Sequence, residues 1–152
     1  MINKLESYDK ATRELMADAL DMDLPLSRGG VSAAEMVYLL RESFKYKLTY
    51  KRVFGELQMG NCDPSTGFCL VSSYYIYQNT GGDSEWRLMK SPIHWWLEHK
   101  HYGVFDVTYT QFDKPFPYRD GTIERRIKDD PGFLNILQQK ALILGKCAGL
   151  EV

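Results

Sequence analysis

Residues 93–109 read IHWWLEHKHYGVFDVTY. Two runs rich in aromatic and β-branched residues, Ile93 to Glu98 and Val104 to Tyr109, flank a turn region of His99-Lys100-His101 and Gly103, the pattern of an antiparallel hairpin. Partners across such a hairpin share a constant sum of residue numbers, and side chains alternate faces with a period of two. A turn centred near Lys100 gives a sum near 200 and sets His94 opposite Asp106. A sum of 202 sets His94 opposite Thr108 and leaves Asp106 as a diagonal neighbour on the same face. One face then carries Trp95, Leu97, Phe105, Val107 and Tyr109, an apolar set that belongs in a core. The other face joins His94 and Asp106 to Trp96, Glu98 and Thr108. A carboxylate that accepts from an imidazole N–H fixes the ring's tautomer and raises its basicity, so this face holds half of a catalytic triad.

A nucleophile to complete it lies upstream. The turn-forming Asp63-Pro64-Ser65 precedes a helix expected over about Thr66–Asn79, and Gly81-Gly82 stops it. Leu70, Val71, Tyr74, Ile76 and Tyr77 go nearly all the way round this helix, while Cys69, Ser72 and Ser73 give it a small-residue side, the signature of a central buried helix. Cys69 falls in its first turn, where unpaired backbone N–H groups and the helix dipole favour a thiolate and are placed to hold an oxyanion. A cysteine at a helix start, facing a His-Asp pair on an antiparallel sheet in the chain order Cys, His, Asp, is the papain-like arrangement.

Around this centre the chain reads as α+β. Leu5, Tyr8, Ala11, Leu15, Ala19 and Leu20 recur at helical spacing, ahead of Pro25 and Gly29-Gly30. Ser32 and Glu35 form a capping-box pattern before the apolar stripe Met36, Val37, Leu39, Leu40 and Phe44. Phe44 to Phe54 interleaves Lys45, Lys47, Lys51 and Arg52 with tyrosines, which reads as a helix continuation or a strand with one solvated basic face. Glu85 to Met89 and Thr122 to Ile127 read as further strands of a β-meander, and Asp130-Pro131 opens a last helix with Phe133, Leu134, Leu137, Ala141 and Leu144 as its buried stripe.

Composition narrows the classes. The 152 residues are 44% hydrophobic and 26% charged with no repeat or linker, so residues 1–152 are expected to form a single domain with a sizeable core. Lys plus Arg number 19 against 20 for Asp plus Glu, a balance that argues against nucleic acid or anionic lipid as a partner. No apolar run approaches the ~20 residues of a bilayer crossing. Three cysteines and a charged N-terminus fit a cytoplasmic protein with reduced thiols.

Several of these residues also form a recurring set. Gly67-Phe68-Cys69-Leu70-Val71-Ser72, then Gly81-Gly82, His94-Trp95-Trp96, and Phe105-Asp106-Val107-Thr108 with Gln111-Phe112 resemble the bacterial YunG-like family over about residues 60–113. That family's pattern runs approximately Gly-Gln-Cys-x-Val-Thr, Gly-Gly, His-Tyr-Trp and Asp-Leu-Thr with a trailing Gln-Phe. The resemblance implies Cys69, His94 and Asp106 in a papain-like or transglutaminase-like site. It departs at Phe68, where the pattern has a glutamine, so a polar contribution from that side chain is absent.

The rival readings are weaker. Cys62 lies in a turn-rich loop, and Cys147 at the end of an apolar helix where packing is the default. Cys62 and Cys69 are not the close pair of a structural zinc site, the chain lacks a His-Glu-x-x-His motif, and no metal or other cofactor is expected. His99 and His101 fall in the turn, where a solvated structural role is expected. Asn61, with Ser65 and Thr66, is a loop residue able to offer a side-chain donor. Asn61, Phe68, Trp95 and Trp96 complete the expected substrate-facing set, the tryptophans as walls that exclude water. The functional expectation is a thiol enzyme acting on a peptide, protein or small acyl substrate by amide, thioester or isopeptide hydrolysis or acyl transfer. The alternative is a papain-like scaffold, catalytically inactive, that serves as a protein-binding module.

Overall fold

The structure, a computed structural model, describes residues 3–58, 60 and 62–151. Four helices come first: α1 (Lys4–Leu20), α2 (Ala33–Phe44), α3 (Lys47–Phe54) and α4 (Cys69–Asn79). Strands β1 (Trp86–Lys90), β2 (Trp95–His99), β3 (Gly103–Phe105) and β4 (Thr122–Ile123) follow, and α5 (Arg126–Asp129) and α6 (Pro131–Cys147) close the chain. Among the described residues the fold is therefore α+β, six helices with one four-stranded antiparallel sheet.

Local chemistry sets most helix boundaries. Ser32 Oγ accepts from Glu35 N at 3.2 Å at the start of α2, and Asp130 Oδ1 accepts from Phe133 N at 3.1 Å with Pro131 in the first position of α6. The basic stretch after Phe44 is a separate helix, α3, and neither a continuation of α2 nor a strand. Tyr46 takes an extended conformation that breaks the two helices apart, and Gly55 closes α3 in the left-handed region at φ 79°. Its Lys47, Lys51 and Arg52 face solvent.

The central helix is shorter than its periodicity suggests. Pro64 to Gly67 form a turn, with Phe68 N donating to Ser65 O, and Gly67 sits at φ +88°, which excludes it from a helix. Cys69 is consequently the first residue of α4. Eight residues of α4 are buried, including Val71, Tyr74, Tyr75 and Ile76. It packs on β1 and β2 on one side and on α2 and α6 on the other, so it is the central element of the core.

Register in the sheet places the site. Leu97 pairs with Phe105 and Glu98 with Val104, the register with a sum of 202. β3 ends at Phe105, short of the run to Tyr109 that alternation suggests. The reason is local: Asp106 Oδ1 accepts from Thr108 N at 3.1 Å, which turns the backbone off the sheet and into a 3-10 turn over Tyr109–Gln111. The strand expected over Thr122–Ile127 is cut short in the same way, because Glu124 Oε1 accepts from Arg126 N at 3.1 Å and starts α5. β4 pairs with β1, giving the order β3-β2-β1-β4 in place of a simple meander.

Candidate active site

His94 immediately precedes β2, and Asp106 immediately follows β3. Pairing of the two strands brings them together: His94 Nε2 lies 2.6 Å from Asp106 Oδ2, both residues buried. An ionised carboxylate only accepts, so Nε2 carries the proton and donates, which leaves Nδ1 for chemistry. Asp106 is held by three further donors. Thr108 N and Thr108 Oγ1 reach Oδ1 at 3.1 and 3.2 Å, and the Tyr118 hydroxyl donates to Oδ2 at 2.7 Å. Burial, with the Asp106 carboxylate beside it, pushes the Tyr118 hydroxyl well above its ordinary value, so it remains a donor at every physiological pH.

Cys69 comes to the same place from α4, its thiol within hydrogen-bonding reach of the His94 ring. The ring's pKa reflects both neighbours. Burial lowers it, but the hydrogen bonds to Asp106 and Cys69 and their negative charges outweigh burial and push it up to about 9. Phe68, at the N-cap of α4, offers no side-chain acceptor to the first turn. The N–H groups there, Cys69's among them, are the orphan donors of a helix start.

Aromatic rings enclose the imidazole. Trp96 stacks on it at 5.7 Å between centroids, and Phe112 and Phe116 meet it edge-on at 4.7 and 4.9 Å. His94 has 0% and Cys69 7% relative exposure, so the centre is closed. A cleft of about 910 Å³ approaches it between the N-terminal half of α1 and the Cys62–Thr66 loop. Gln111 and Phe112 line that cleft and also touch the His94 ring, so these two side chains separate the imidazole from the opening. A second, apolar depression of about 680 Å³, lined by Ile93, Phe112, Pro115 and Phe116 among others, lies beyond the two phenylalanines.

The N-terminal helices hold this centre from behind. Arg41 of α2 has 0% exposure and spans three elements: its Nη1 donates to Val107 O at 2.6 Å, its Nε to Thr12 Oγ1 at 2.6 Å and its Nη2 to Tyr8 O at 3.1 Å. The guanidinium lies 3.9 Å over the Tyr8 ring. Val107 stands between Asp106 and Thr108, so Arg41 fixes the backbone that carries the carboxylate. On the loop side, Asp63 Oδ1 accepts from Ser65 N, Ser65 Oγ and Thr110 Oγ1 at 2.9, 2.6 and 3.0 Å, tying the approach to Cys69 to the segment after Asp106.

Of the residues singled out in the sequence, the fold brings Cys69, His94 and Asp106 together. Of the expected substrate-facing set, Phe68 and Trp96 are fully buried. Phe68 is buried and stacks on Phe44 at 4.3 Å, because its position at the N-cap turns it into the aromatic cluster of α2 and α3. Trp96 is fully buried behind His94, in a space that Gly121 leaves open: a Cβ there would overlap the indole. Trp95 alternates away from Trp96 and donates from Nε1 to Glu124 Oε2 at 3.0 Å. Glu124, also gripped by Arg126, is held at about 2 by those bonds despite its burial. Asn61 lies outside the described residues. Ser65 is committed to Asp63, and Thr66 accepts through its carbonyl from Gln58 Nε2 at 2.7 Å.

His99 is buried at the end of β2, where Nδ1 accepts from His101 N at 3.0 Å, a structural role without the expected solvation. Tyr118 and Arg41 carried no signal in the sequence as site residues, since their partners are 12 and 66 positions away. Thr108 and Gln111 do carry one: a 3-10 turn brings together positions three apart. Among the described residues no group of three His, Cys, Asp or Glu side chains is placed to hold a metal ion, and no helix is long and apolar enough to cross a membrane. Comparison with protein-family models, with curated proteins and with solved structures finds no match to this chain.

Proposed function

We propose that the protein is a papain-like thiol enzyme of the YunG-like kind, acting in a reducing cytoplasm on an amide, thioester or isopeptide carbonyl of a peptide, protein or small acyl substrate. The observation that carries this reading is the buried 2.6 Å pair of His94 and Asp106, with Cys69 beside the ring at the first position of α4. In this reading Cys69 Sγ attacks the carbonyl carbon while the proton it shares with His94 Nδ1 is held on the ring, as the raised ring pKa favours. The imidazolium returns that proton to the leaving group, and water or an acceptor nucleophile then takes the acyl group from sulfur. Asp106 keeps the Nε2 proton in place and stabilises the charged ring, and Cys69 N–H donates to the developing oxyanion.

Alkylation with iodoacetamide over pH 6–9, read by mass spectrometry at each cysteine, tests it. Labelling is expected to be fastest at Cys69 and to fall in His94→Ala, with Asp106→Ala between the two. Cys69→Ala abolishes acyl chemistry altogether. A second reading, a catalytically silent scaffold that binds another protein, is favoured by the closed state of the centre. Labelling that is slow at all three cysteines, or indifferent to His94, decides for that scaffold.

A further inference from the structure

Of the two side chains that stand between His94 and the cleft, Gln111 is the polar one, and its hydrogen bonds fix its orientation. Gln111 Nε2 lies 3.0 Å from Thr108 Oγ1, 3.2 Å from Thr108 O and 3.4 Å from His94 Nδ1. The Thr108 hydroxyl has one proton, which it gives to Asp106 Oδ1, so toward Gln111 it only accepts. The Thr108 carbonyl also only accepts. Both neighbours therefore demand the nitrogen of the carboxamide, and a donor faces His94 Nδ1. The two N–H groups thus face three neighbours, and the contact to Nδ1 is the longest of the three. Gln111 also lines the cleft of about 910 Å³, beside Thr66 of the loop that leads to Cys69.

Nδ1 accepts only while the ring is neutral. With its pKa pushed up to about 9 the ring is the imidazolium at neutral pH, so Nδ1 donates and Gln111 Nε2–H has no acceptor there. Attack by Cys69 Sγ places negative charge on the substrate's carbonyl oxygen beside it. We propose that Gln111 is a catalytic residue of this site, whose Nε2–H turns from His94 Nδ1 and donates to the oxyanion of the acyl group, as second donor to Cys69 N–H. Phe68 cannot fill that place, since it is buried against Phe44. The inference rests on the thiol-enzyme reading above.

The step balances within the site. The Sγ–C bond forms, the carbonyl π pair moves to oxygen, and the proton shared by Sγ and Nδ1 stays on Nδ1. On collapse the bond to the leaving group breaks, and that group departs with the proton.

The test separates a reaction that builds an oxyanion from one that does not. S-benzyl thioacetate acetylates a cysteine through a tetrahedral oxyanion and releases benzyl mercaptan, whereas iodoacetamide alkylates by direct displacement. Both are followed at Cys69 by mass spectrometry in wild type, Gln111→Met and Gln111→Leu, with thermal melting as the check on folding. Acetylation is expected to fall about 100-fold in both variants, while alkylation stays within about threefold of wild type. Equal loss of the two reactions, or no loss of acetylation, overturns the assignment of Gln111. Wild-type protein that alkylates in a His94-dependent way but accepts no acetyl group also overturns it, and leaves the thiol-enzyme reading standing. Cys69 that alkylates no faster than Cys62 and Cys147 removes that reading and this one with it.

Discussion

Arg41 and His94 are both fully buried and both hydrogen-bonded, yet one is a structural bolt and the other the centre of the proposed chemistry. Each nitrogen of Arg41 reaches an acceptor, from Thr12, Tyr8, Val107 or Thr110, and among the described residues no carboxylate forms an ion pair with it. Burial pulls its pKa below the ordinary value, but neutral oxygens and the Tyr8 ring hold the cation in place. His94 is satisfied on one side only. Asp106 saturates Nε2, while Nδ1 is left to a thiol and a distant carboxamide N–H. Burial of a polar group therefore says little about its role. What separates the two sites is whether a lone pair or proton is left over once the static bonds are counted.

The largest effect that bears on this contrast is at Arg41. Arg41→Met strips bonds made by a charged donor from Val107 O, Tyr8 O and Thr12 Oγ1, and a loss of about 3 kcal/mol in urea unfolding is expected. The folded fraction should keep faster alkylation at Cys69 than at Cys147. Unchanged stability breaks the idea of a bolt.

A comparable but pH-gated loss is expected at His94. Its folded pKa of about 9 lies above the ordinary histidine value near 6.5, so the folded state binds this proton more tightly. The stability it contributes is full below about pH 6.5 and is lost as pH rises through about 9. Melting temperature across pH 6–10 should decline in wild type and stay flatter in His94→Gln, and parallel curves contradict the assignment. The smallest effect belongs to Tyr118→Phe, which removes one of four donors from Asp106 and should cost roughly 1.5 kcal/mol in urea unfolding. No change there would mean the other three donors carry the carboxylate alone.

Much of the scaffold was legible in the chain because its signals are local. Ser32 with Glu35 and Asp130 with Pro131 mark helix starts through bonds that span three residues, and the starts fall there. The hairpin alternation set His94 and Asp106 on one face in either register, and the 202 register is the one formed. Periodicity misled where a side chain competes with the ladder. Asp106 and Glu124 each capture a nearby N–H and end a strand early, and apolar alternation does not record such a capture. Tyr46 splits a basic helix from α2 for a comparable reason, since one extended residue does not disturb an apolar count.

By itself, then, the sequence determined the α+β class, the burial of the central helix and the shared face of an imidazole and a carboxylate, because each follows from short-range periodicity and capping. Only the tertiary structure decided what surrounds them. It turned Phe68 into the core, closed Phe112 and Phe116 over the ring, set Gln111 between His94 and the cleft, and ran Arg41 from the N-terminal helices to the backbone beside Asp106. These contacts join residues from elements that meet only after collapse. No spacing in the chain encodes them, and their energies depend on burial that exists only once the whole core has formed.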